Sequence, residues 1–205
     1  LRAAGRIAGR ALKLAGESVR AGMTTKELDK IVHDYIVSCG ATPSFLGYGG
    51  FKGSACISIN NEVIHGIPSS KRKIADGDIV SVDVGAYYNG FHGDTCATFA
   101  VGHISDEAKK LLEVTEASLY AGIDAAVVGA RMGDVSHTVE EYCVSRGYAV
   151  VKQYCGHGIG RELHESPEVP NYGKPGHGVR LVSGMTFCIE PMINVKGEGV
   201  RVLKD

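Results

Sequence analysis

Apolar residues at Leu1, Ala4, Ile7, Ala11, Leu12, Ala15 and Val19 recur at three- and four-residue spacing, which predicts a helix over 1–19 that Gly22 breaks. A second helix opens at Thr24, where Glu27 completes a capping box. Its inward stripe reads Leu28, Ile31, Val32, Tyr35, Ile36 and Cys39 before Gly40 ends it. Past Pro43 and Gly49-Gly50 the period becomes strand-like: Ala55–Asn60 reads as a strand, and Ile79–Val101 as a long hairpin turning at Asn89-Gly90. From Ser105 the pattern restarts. A helix carries Leu111, Leu112, Thr115, Leu119, Ile123 and Ala126, another runs from about Asp134 to Arg146, and strand-like runs follow at Tyr148–Tyr154 and Met185–Val195. The order helix, helix, strands thus occurs twice. Gly77 precedes Asp83 by six positions and Gly184 precedes Glu190 by six, an echo that either internal duplication or chance would produce.

The hairpin turn carries chemical information because a two-residue loop sets the register, and the register sets the faces. With Tyr88 opposite Phe91, Asp83 falls opposite Cys96 and Asp94 opposite Gly85, so the two carboxylates share one face as diagonal neighbours. Ser81, Tyr87, His92 and Thr98 accompany them. Val80, Val82, Val84, Ala97 and Phe99 take the other face as core. Two carboxylates this close repel each other, and a covered sheet worsens the repulsion. Unless the face is solvated, a shared proton or a bound cation must offset the charge, and a metal is the commoner solution.

Composition narrows the setting. The chain has 205 residues, 22 Lys and Arg against 23 acids, and a net charge of −1, which argues against a nucleic-acid clamp or a membrane-surface binder. No apolar run approaches a membrane span, and no signal-peptide pattern opens the chain. Six scattered cysteines without a C-x-x-C fit a reducing cytosol. The 28 glycines, without a collagen period, point to tight turns or loops held close to a site.

Further ligand types stand in the second half. His157 lies in Gly156-His157-Gly158-Ile159-Gly160, which lacks the Lys-Ser/Thr ending of a phosphate loop, and His164-Glu165 follows in what reads as a glycine-rich loop. A lone histidine is more often structural than a ligand; two in one such loop are even-handed evidence. His65 sits in a comparable loop. Glu190 lies in the apolar run Phe187-Cys188-Ile189-Glu190-Pro191-Met192, where an unpaired carboxylate is costly and a partner or metal is required. His33, His103, His137 and His177 receive no role. No G-x-S-x-G occurs, so nucleophilic catalysis has little support, whereas oxygen ligands plus one imidazole suit Mn, Fe, Co or Zn in a hydrolytic site.

Taken together, these segments resemble the type I methionine aminopeptidases. The matching stretches run in family order: Cys56 to Pro68, Asp76-Gly77-Asp78-Ile79-Val80, Gly90 to Thr95, Tyr154 to Arg161, His164-Glu165-Ser166-Pro167 and Ile189-Glu190-Pro191-Met192. The resemblance implies the α+β pita-bread fold, two pseudo-symmetric α/β lobes around a central antiparallel sheet. It implies one catalytic domain over 1–205, with halves at about 1–104 and 105–205.

It also implies two divalent metal ions (Co, Mn, Fe or Zn) on Asp83, Asp94, His157 and Glu190, with Asp94 bridging. His65 and His164 match the family's substrate-contacting histidines, and Glu190 a proton shuttle. Tyr48, Phe51, Cys56, His65 and Leu163 match the methionine pocket, where Phe51 and Leu163 replace aromatic residues of some members and keep it apolar. The implied activity is removal of the N-terminal methionine from nascent polypeptides with a small second residue. The implied setting is a cytoplasmic monomer in transient contact with the ribosome. The alternatives are a proline-specific peptidase of the same fold or a truncated, inactive metal-binding fragment. The family's fifth ligand, a bridging Glu near the C-terminus, has no counterpart before Leu203-Lys204-Asp205, and a terminal Asp205 is a poor substitute. The expectation is a missing C-terminal strand; a chain that ended here would hold metal weakly.

Overall fold

A computed structural model describes residues 1–203; Asp205 lies outside the described residues. The chain divides into two compact units, one comprising Leu1–Ser105 with Ile159–Leu163, the other Asp106–Gly158 with His164–Asp205.

In the first unit, helices α1 (Arg2–Ser18) and α2 (Thr25–Ser38) precede strands β1 (Thr42–Pro43), β2 (Ala55–Ile59), β3 (Ile79–Tyr88) and β4 (Phe91–Ala100). The capping box forms: the Glu27 carboxylate accepts from the Thr24 N–H at 2.7 Å while the Thr24 hydroxyl accepts from the Glu27 N–H. All strand pairs are antiparallel. β3 is central, with β4 along one edge and β1 and β2 sharing the other. Helix α1 lies across β3 and β4, so Val80, Val82, Val84 and Ala86 are fully buried beneath Ala8, Ala11, Ala15, Leu28 and Val32. A buried carboxylate joins α2 to this sheet: Asp29 accepts the N–H groups of Ser54 and Ala55 at 2.7 and 3.1 Å and pairs with Lys26 at 2.8 Å.

The hairpin turns as expected. Asn89 and Gly90 have φ of 50° and 85°, the left-handed conformation that a two-residue turn of this hand needs. Every pair from Tyr88–Phe91 to Ile79–Ala100 follows from it.

In the second unit, helices α3 (Asp106–Ala125) and α4 (Met132–Val144) pack together and are followed by β5 (Ala149–Val150), β6 (Gly156–Gly158), β7 (Glu165–Val169) and β8 (Ile193–Asn194). Two small clusters form its core, Val114 with Cys143, Val150 and Ile193, and Met132 with Val135, Val169 and Leu181. Helix α4 starts before the expected Asp134, whose carboxylate instead caps the turn by accepting the Arg131 N–H at 2.7 Å.

The strand expectations here need correction. The runs Tyr148–Tyr154 and Met185–Val195 pair as strands only at Ala149–Val150 and Ile193–Asn194. Pro191 has no N–H to give a ladder, and the residues before it are pinned one at a time, Phe187 by a bridge to Gly158 and Cys188 by its N–H on the His157 carbonyl. Conversely, the glycine-rich stretch read as a loop is a strand: Gly156–Gly158 pairs with Glu165–Val169. Among the described residues, no helix is long and apolar enough to cross a membrane.

A close backbone approach in the first unit yields a prediction. A Cβ on Gly93 would fall within contact distance of the α1 backbone at Ala4 and Gly5. Gly93→Ala should therefore destabilise the protein by about 1–3 kcal/mol, read as a lowered melting temperature.

Candidate metal centre

The polar face of the first sheet is the one turned away from α1 and α2. Ser81 and Thr98 meet hydroxyl to hydroxyl at 2.8 Å, and the Tyr87 and His92 rings lie 4.7 Å apart, so the register carries through to the side chains. Asp83 sits between Cys56 on β2 and Cys96 on β4, and Asp94 opposite Gly85. Both aspartates are half-buried. The Cys56 thiol registers both of them. Burial first, then the Asp83 charge and then that of Asp94, push it far above its ordinary range.

Several candidate substrate-side residues belong to the same unit. Tyr48 and Phe51 bracket one tight turn, closed by the Phe51 N–H on the Tyr48 carbonyl at 2.9 Å and the Gly47 N–H on the Phe51 carbonyl at 2.8 Å. Tyr48 is half exposed and Phe51 partly buried. Leu163 is buried, on the segment whose Gly160 carbonyl accepts the His92 N–H at 2.9 Å and whose Arg161 lies over the Phe91 ring. His65 is exposed and holds φ at 60°, a strained value for a residue with a side chain. The next residue anchors it: the Gly66 carbonyl accepts the Ile57 N–H at 2.9 Å, and its own N–H donates to Ser58 Oγ at 3.0 Å.

In the second unit, glycines make room around His157. A Cβ on Gly156 would strike the Cys188 carbonyl, and one on Gly158 the Ser166 carbonyl. His157 is buried at 9% exposure, and its Nδ1 lies 2.8 Å from the Gly158 carbonyl. A carbonyl only accepts, so Nδ1 carries a hydrogen and Nε2 is the nitrogen left to hold a proton or a cation. That nitrogen is 3.2 Å from Oε1 of Glu190. The two atoms are not aligned as a hydrogen bond, and the buried Oε1 accepts none from the described residues. At this distance a proton on Nε2 makes the two groups an ion pair, and a cation could take the place of that proton. An imidazole nitrogen with a carboxylate oxygen is a donor pair that fits a divalent ion of the Mn–Zn series. The His164 ring lies 4.1 Å from that of His157, centroid to centroid.

Two supports for this pair escaped sequence reasoning. The Cys188 N–H donates to the His157 carbonyl at 2.7 Å, and Asn171 Nδ2 donates to the Glu190 carbonyl at 2.6 Å. Neither contact has a sequence signature, because both join residues remote along the chain.

Paired aspartates on one sheet face and an imidazole facing a carboxylate are the equipment of a metal-dependent hydrolase. Residues 1–205 match metallopeptidase family M24. The methionine aminopeptidase of Clostridium acetobutylicum is 53% identical over 195 residues, which cover 95% of this chain and 78% of that protein. The solved structure of the methionine aminopeptidase of Thermotoga maritima matches with a TM-score of 0.98 and 42% identity, covering 100% of this chain and 82% of that one. A prolidase from Pyrococcus furiosus matches with a TM-score of 0.77 and 25% identity, covering 92% of this chain and 53% of that one. The chain belongs to metallopeptidase family M24 and, within it, to the methionine aminopeptidases. Its fold is accordingly the α+β pita-bread fold.

The two aspartates and Cys56 give a chemical test of this geometry. In metal-free protein at pH 8, iodoacetamide should alkylate the exposed Cys96 roughly tenfold or more faster than Cys56, whose raised pKa leaves little thiolate. Asp83→Asn should lower the Cys56 pKa and speed its alkylation, measured by mass spectrometry of the labelled peptides.

Proposed function

We propose that this chain is a divalent-metal-dependent aminopeptidase that removes the N-terminal methionine from polypeptides with a small second residue. The observation that carries the reading is the 53% identity to a methionine aminopeptidase along 95% of the chain, set against 25% to a prolidase. The proposed ligands are Asp83 and Asp94 from the first unit and His157 and Glu190 from the second, holding two ions of the Co, Mn, Fe or Zn type. Support comes from each unit separately, in the shared face of the aspartates and in the 3.2 Å approach of His157 Nε2 to Glu190 Oε1.

When bound, the ions supply an acidified water and an electrophile for the scissile carbonyl. The chain's own groups do the rest. Glu190 takes a proton and returns it to the leaving amine, a role suited to a carboxylate oxygen free of hydrogen bonds from the described residues. His164, its ring tilted against that of His157, donates a hydrogen bond to the charge developing on the substrate, and His65 does the same from its anchored loop. Tyr48, Phe51, Cys56, His65 and Leu163 line the methionine side-chain pocket. The substrates are nascent chains in the cytoplasm, met by a monomer that touches the ribosome transiently.

Peptide choice and metal dependence test this directly. Met-Gly-type peptides should be hydrolysed and Xaa-Pro peptides left intact, with turnover lost on chelation and restored by divalent metal. Preference for Xaa-Pro would transfer the chain to the prolidase reading, and no turnover with metal bound would leave a binding fragment. His164→Ala should lower kcat roughly 10²-fold or more while metal content stays unchanged, because the ring stabilises charge and is not a ligand. Loss of metal in that variant would identify His164 as a ligand.

A further inference from the structure

The backbone around Glu190 poses a problem that one side chain solves. Strand β8 begins only at Ile193, and Pro191 contributes no N–H, so Glu190 stands between the Cys188 N–H on His157 and the Val151 N–H on the Met192 carbonyl at 2.9 Å. Between these anchors, the Glu190 carbonyl is held by Asn171 Nδ2 at 2.6 Å. Asn171 is 0% exposed and lies two residues beyond the end of β7. Its Oδ1 is buried as well and takes no hydrogen bond from the described residues. A buried amide with one oxygen unsatisfied is costly, and an apolar side chain of similar size would avoid that cost. What an apolar residue could not supply is the donor to Glu190.

We infer that Asn171 is a positioning residue for the metal centre: through the Glu190 carbonyl it fixes the backbone from which the Glu190 carboxylate reaches His157. The inference rests on the reading of His157 and Glu190 as ligands, and it assigns Asn171 no contact with metal or substrate. Asn171→Asp keeps the shape but removes the N–H donors and sets oxygen against the Glu190 carbonyl. Asn171→Ala removes the group altogether. Partners that orient ligands in this way are typically worth 10- to 100-fold in metal affinity.

The test is titration of the metal-free protein with Co²⁺ alone, followed by visible absorption and calorimetry. N171D and N171A should bind Co²⁺ roughly 10- to 100-fold more weakly than the parent chain, with a changed absorption band at saturation. Cys143→Ala, a truncation in the separate Val114–Ile193 cluster of the same unit, supplies the structural control. It should lower the melting temperature and leave both the affinity and the band unchanged. Parent-like affinity and spectrum in the Asn171 variants would overturn the inference, as would losses no larger than that of C143A. Should N171D fail to fold, N171A and Asn171→Ser decide the matter by the same readings. His157→Ala separates the two levels: if it binds Co²⁺ like the parent, the ligand reading itself falls and the role of Asn171 with it.

Discussion

The parity of one strand pairing governs the first unit. Side chains alternate faces along β3 and β4, so a slip of a single residue would carry Asp83 or Asp94 under the helices and bring valines to the polar face. Asn89 and Gly90 prevent the slip by adopting left-handed backbone that few other residue pairs tolerate. Closeness of α1 reinforces it, since only glycine at position 93 lets that helix descend onto β4. Two carboxylate side chains are thereby kept on one face by the strand register, opposite a continuous apolar core.

The second unit reaches a similar outcome by other means. Among its described residues no long hairpin sets a register; short segments are tied individually, through Cys188, Gly158 and Asn171, until an imidazole nitrogen and a carboxylate oxygen come within 3.2 Å of each other. Such an arrangement calls for a positive charge between the two groups, a proton or a cation.

What was legible in the sequence follows the range of the physics involved. The capping box at Thr24 and Glu27 and the Asn89-Gly90 turn depend on neighbours in the chain, and both formed as read. The strand character of Gly156–Gly158 was not legible, because its glycines answer to the Cys188 and Ser166 carbonyls that crowd them, a tertiary reason that looks like a loop in one dimension. Met185–Val195 failed in the opposite sense: its apolar run promised a strand, and Pro191 together with single anchors broke it up. His157 and Glu190 were singled out as residues, yet their meeting could not be deduced across 32 intervening positions without the family resemblance. Asn171 carried no signal at all.

The hydrogen bond from His157 to the Gly158 carbonyl reaches further than the orientation of a ring. With Nδ1 committed, the imidazole has one basic nitrogen to offer, and that nitrogen points at Glu190. On the proposed reading of His157 as a ligand, a metal ion and a proton contend for that single nitrogen. On that reading, loading a protonated ring exchanges one proton for one ion, and acidification and chelation are two routes to the same loss of metal.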